Sequence, residues 1–230
     1  MNGQESKRFD VYKLVNYMSK VNYIWYCLVG TVAFWIVNLP LALCLVMLPL
    51  NLTSLPFLVV AALPVGPGLQ SLLKALKQVE ITGKVWRPFF EAIHRDTKKL
   101  LKVWLPALVI LGLAAANLLL SQQLGMSGVL QLVNLFILVA VVTFFLNFLL
   151  LNTFFNHVPL GNGLVTTAKL SLLKSGRYAM SFMMVLGVFI LMSNLSIYLF
   201  FFGIGLAALL LIMNYRPIAE FIEEQTAVNN

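Results

Sequence analysis

Two histidines, His94 and His157, two cysteines, Cys27 and Cys44, and eight acidic side chains are the groups of this 230-residue chain best suited to bind a metal or move a proton. A metal site needs a third ligand at matching spacing, and neither histidine has one. The cysteines fall within one apolar run, roughly 25 Å apart if it is a single helix, too far to pair without breaking it; free structural thiols are expected. A phosphate-cradling loop of the Walker type is absent. No acidic residue falls inside a long apolar run, where an intramembrane protease, redox protein or ion-coupled pump would place its working groups. The expectation is a protein that is not an enzyme and carries no cofactor. The polar groups within the apolar runs are amides and hydroxyls, Asn38, Asn117, Asn134, Asn147, Ser193, Asn194 and Ser196. Such groups act as interhelical hydrogen-bond ties worth about 0.6 kcal/mol each, or could face the hydroxyls of a sugar. Asn51 opens a glycosylation-like Asn-Leu-Thr triplet, in a turn too short for that use.

The elements that must position these groups follow from composition. The chain is 60% hydrophobic and 10% charged, with a mean hydropathy of +0.91, against about a quarter charged in a soluble domain. This predicts an all-α polytopic integral membrane protein. Five uncharged runs approach the ~20 residues of a membrane span, at about 23–48, 55–73, 103–120, 129–151 and 182–213. The last is longer than one crossing needs but too short for two, and is expected to tilt, break near Gly203 and Gly205, or protrude. Residues 1–22 form a tyrosine- and lysine-rich interfacial segment, and 215–230 a tail. The first run is too long for a cleaved signal. Lysine and arginine concentrate in the leader, the second connection and the fourth, which carry 15 of the 16 basic residues. Basic residues stay on the cytoplasmic side, so the expected topology is N-terminus inside and C-terminus outside. Membrane topology accounts for most of the +8 net charge, so no nucleic-acid partner is expected.

The second connection holds PFFEAIHRDTKKLLKVW. Phe89, Phe90, Ile93, Leu100, Leu101 and Trp104 share one helical face, with Glu91, Arg95, Lys98, Lys99 and Lys102 largely on the other. An amphipathic helix over 88–102 follows, whose Phe89, Phe90, Arg95, Lys98 and Lys99 are candidates for docking a partner. A second such helix is expected over 162–176, capped by Asn162 and stopped at Gly176. Spans two to three and four to five can be read as two copies of a unit of span, amphipathic helix and span; the slight sequence identity favours convergence on the same membrane-edge chemistry.

The stretch LPVGPGLQSLLKALKQVE interrupts the second run. Pro64 and Pro67 each remove a donor and crowd the carbonyl four residues earlier, Val60 and Leu63. Such backbone survives at membrane depth where it is buried in protein or lines a wet cavity. Pro64, Gly66, Pro67 and Gly68 could therefore place a helix N-terminus, with free N–H groups at Gly68 to Gln70, partway across the bilayer, as in transporters. The favoured alternative is a kink through which Gly66 and Gly68 let helices pack closely.

The combination of Asn38-Leu39-Pro40, Gly66-Pro67-Gly68 opening a lysine-ended helix, and Phe89-Phe90-Glu91-Ala92 with downstream lysines and Trp104 resembles the YesL-like family of bacterial membrane proteins, over most of residues 20 to 215. Leu69 and Gln70 stand where that family often continues with small residues. The resemblance implies a small multi-pass protein of the bacterial cytoplasmic membrane, commonly encoded beside carbohydrate ABC importers. It transfers no catalytic residue. The function it implies is an accessory or regulatory subunit bound to the importer's permease chains and the bilayer, touching sugar only indirectly. The alternative is an independent small-solute transporter or channel that uses the broken second span.

Overall fold

The computed structural model describes the backbone of residues 22–125, 128–155, 159–194 and 197–228. The interfacial leader up to residue 21, His157 and Ser196 lie outside the described residues, and Ser193, Asn194 and Glu224 are described in backbone only. Nine helices make up the described chain: α1 Asn22–Val37, α2 Leu39–Met47, α3 Leu55–Ala61, α4 Val65–Thr82, α5 Trp86–Gln123, α6 Gly128–Phe154, α7 Leu160–Leu173, α8 Ser175–Asn194 and α9 Ile197–Val228. Leu55–Val79, Trp86–Gln123, Gly128–Phe154 and Gly203–Glu223 are each long and apolar enough to cross a membrane, and α1 with α2 makes a fifth crossing if the bent pair counts as one. This is the build of an all-helical membrane protein.

α4 is the hub, packed against α5, α6 and α9. Its Leu72, Leu73, Ala75 and Leu76 meet Phe89 of α5, Phe148 to Leu151 of α6 and Tyr215 of α9 in one buried core. That core sits toward the lysine-rich end. The far halves of α5 and α6 expose Val109, Leu113, Leu132 and Phe136, a surface suited to hydrocarbon.

Three expectations about the spans change. The run 182–213 is not one span: α8 and α9 pack against each other as an antiparallel pair, with Arg177 and Ser181 near the start of α8 bonded to Asn214 of α9. Each helix gains length by reaching into polar flanks, α8 back to Ser175 and α9 on to Val228, so hydropathy alone undercounts them. α9 runs unbroken through Gly203 and Gly205; Gly205 instead serves close approach, its N–H donating 2.8 Å to Thr31 Oγ1 of α1. A methyl group there would stand 2.7 Å from that oxygen.

This hairpin returns the tail to the lysine-rich end. Arg216, Glu220 and Glu223 line one groove with Lys77 and Tyr23, and Lys174 stands 4.4 Å over the Phe221 ring. The start of α1 and the described end of α9 therefore lie at the same end of the bundle as Lys77.

The first run is also not straight. α1 and α2 meet at 74° at Asn38, because Pro40 in the first turn of α2 has no N–H to continue the ladder. Asn38 is fully buried, and its Nδ2 donates 2.9 Å to Phe34 O. The second amphipathic segment runs over 160–173, beginning after Pro159 and ending at Lys174; Asn162 and Gly176 are exposed positions inside α7 and α8.

Candidate functional site

The residues singled out in the second span form a packing joint. α3 ends at Ala61 and α4 begins at Val65, after Pro64, and together they make one span. Val60 O accepts the Leu63 N–H at 3.2 Å, and Gly68 N–H donates to Pro64 O at 2.8 Å. Val60 O and the Gly68 N–H are therefore both taken within the chain. Trp104 of α5 crosses the break and donates Nε1–H to Ala62 O at 3.2 Å. Gly66 faces the same ring: a Cβ there would lie 2.6 Å from Trp104 Cγ. At Gly68 it would lie 2.7 Å from Asn38 Nδ2 and 3.3 Å from the Phe34 ring. Pro67 is buried between them. Of the two readings open in the sequence, this geometry is the close-packed kink.

The polar chemistry lies one to three turns further along α4. Gln70, 2% exposed, donates Nε2–H to Thr153 Oγ1 of α6 at 3.1 Å, and Thr153 in turn donates to Leu149 O at 2.8 Å. Lys74, 7% exposed, donates Nζ–H to Asp96 Oδ2 of α5 at 2.8 Å. Lys77 donates to the Thr153 and Phe154 carbonyls at the end of α6, 3.3 Å each, where a cation offsets the negative helix end. A cavity of about 70 Å³ opens beside this ladder, walled by Gln70, Lys74, Asp96, Lys99 and Asn152 among others. A second ladder joins α6, α8 and α9: Ser181 Oγ–H donates to Asn147 Oδ1 at 3.3 Å and accepts from Asn214 Nδ2 at 3.0 Å.

The first turns of α5, over 86–102, are too charged for hydrocarbon, and they split the expected docking residues. Phe89 is fully buried, edge-on to Phe90 with centroids 5.2 Å apart, so it presents no surface to a partner. Phe90 packs partly against the core. Arg95 and Lys98 are exposed and Lys99 half-buried. Arg95 Nε donates to Asp96 Oδ1 at 3.1 Å. Burial alone would push the Asp96 pKa up, but the hydrogen bonds from Arg95 and Lys74, with their charges, outweigh it and hold the carboxyl below the ordinary 3.8.

Sequence reasoning missed Gln70, Lys74, Asp96 and Thr153 as a group. Their spacing along the chain carries no signal, because they meet only when α4, α5 and α6 pack; the hint was a glutamine and a lysine in an apolar helix. Cys27 is buried and Cys44 half-buried, both free thiols; His94 is exposed on α5. Among the described residues, no three metal-ligating side chains gather. No family model, curated protein or solved structure matches the chain.

Proposed function

We propose that this protein is a non-catalytic subunit of the bacterial cytoplasmic membrane that docks a partner through the basic outer face of α5, with six crossings and both ends in the cytoplasm. Its partner, by the YesL-like resemblance, is the permease of a carbohydrate ABC importer. The observation that carries the reading is the division of the polar groups. Gln70, Lys74, Asn147, Ser181 and Asn214 are bonded across helices inside the bundle. Arg87, Arg95 and Lys98 instead project outward from the start of α5, where the helix has already ordered the backbone and binding need fix only the side chains. The even number of crossings rests on the shared side of Tyr23 and Glu220, and the cytoplasmic assignment on the positive-inside rule.

The test is a mild-detergent pull-down of the tagged chain from its host, with uptake measured after deletion. Stoichiometric permease and ATPase chains, lost on Arg95→Glu with Lys98→Glu while the protein remains folded, are the expected result. Intact uptake and no copurified permease overturn the reading. A second reading, a small-solute transporter, is favoured only by the cavity beside Gln70 and Lys74; it predicts flux from the purified chain in liposomes, and a silent assay ends it.

A further inference from the structure

We propose that the cavity between α4, α5 and α6 binds a small monovalent oxyanion that keeps a hydroxyl, of the dihydrogen phosphate and bicarbonate class. The inference is independent of the docking reading. It begins with the hydrogen bonds the cavity walls leave unmade. Thr153 Oγ1 donates to Leu149 O and accepts from Gln70 Nε2, so Gln70 Oε1 faces away from Thr153 and must find its donor elsewhere. That Oε1 is buried and has no partner, an unusual state for a buried polar atom. The Lys74 ammonium has three hydrogens and one acceptor, Asp96, and its side chain, 8% exposed, lines the cavity. The unmet groups of the walls are therefore two ammonium hydrogens and one amide oxygen.

Charge narrows the occupant. Lys74 and Lys99 both line the cavity, and the single wall carboxylate, Asp96, is already paired with Lys74 and Arg95. The surroundings are net positive, which excludes a cation. A bare anion such as chloride or nitrate would meet the ammonium groups and leave Gln70 Oε1 without a donor. An oxyanion with one hydroxyl satisfies both. Size allows it: at roughly 10–15 Å³ for each water-sized body, a cavity of about 70 Å³ holds about five to seven such bodies, room for an oxyanion of four or five heavy atoms.

The test is calorimetric titration of the full chain in nanodiscs with inorganic phosphate at pH 6, against nitrate at equal ionic strength. Saturable phosphate binding is expected, weakened about ten-fold or more for nitrate and, separately, by Gln70→Met, which keeps volume but removes the acceptor. Lys99→Gln, at a half-exposed site that does not threaten folding, should weaken it similarly and decides the matter if Gln70→Met fails to fold. Absence of heat, equal binding of nitrate and phosphate, or binding unchanged in Lys99→Gln each overturns the proposal and leaves the cavity to water.

Discussion

A methyl group at Gly66 would press into the Trp104 ring, whereas one at Gly187 of α8 would meet nothing within 4 Å. Gly66→Ala is therefore expected to destabilise the protein by about 1–3 kcal/mol through overpacking. Gly187→Ala should be neutral, or stabilising by up to about 1 kcal/mol through helix propensity. Melting of both variants in detergent checks this; equal melting temperatures would mean the Gly66 contact is slack. Asp96 yields a second prediction at this scale. Its carboxyl is held below 3.8 in the folded chain, so the protein binds fewer protons there than when unfolded. The stabilisation is complete above the ordinary carboxylate range and is lost as pH falls below 3.8 through the depressed folded value. Wild type should lose its stability advantage over Asp96→Asn between about pH 5 and pH 2; an advantage unchanged across that window would show that the pair contributes nothing.

Between elements, the Lys74–Asp96 bridge joins α4 to α5 at the core's charged edge, with side chains 8% and 21% exposed. Removing one partner strands the other, so Lys74→Met and Asp96→Leu alone should each cost more than the pair together. The single costs should fall below the 3–5 kcal/mol of a fully buried pair, since Asp96 keeps contact with water. A double-mutant cycle by thermal melting reads the coupling, and additive single effects would remove the bridge from the account. Much at this scale was legible in sequence. The amphipathic pattern of PFFEAIHRDTKKLLKVW correctly marked a helix with one charged face, and α5 carries it without interruption from Trp86. The pattern did not show that Phe89 would be sealed inside while Phe90 stays partly exposed, because adjacent residues on an apolar face are separated only by what packs against them. The break at Pro64 was legible too, but its use was not: Trp104 and Asn38 decide it from two other helices.

For the whole molecule, the hairpin of α8 and α9 fixes which ends lie together. In a cysteine-free background, Lys84→Cys and Glu220→Cys, both exposed, are expected to react with a membrane-impermeant maleimide from one side of sealed vesicles. Leu124→Cys, at the opposite end of α5, should react from the other. Labelling of positions 84 and 220 from opposite sides would refute the hairpin and restore a single last span.

Sequence by itself determined that the chain enters a membrane as helices, since its uncharged apolar runs have the ~20-residue length of a helical span rather than the ~10 of a barrel strand. It determined as well which connections are basic. Only the tertiary structure decided that the last run folds back on itself, that the sharp bend falls at Asn38 rather than Pro64, and that Gln70, Lys74 and Asp96 share a cavity. The physical reason is common to the three. Hydropathy and local propensity report what one segment prefers against solvent or lipid, whereas turns within apolar sequence, close approach through glycine and pairing of buried polar groups depend on which other segment arrives to fill the space.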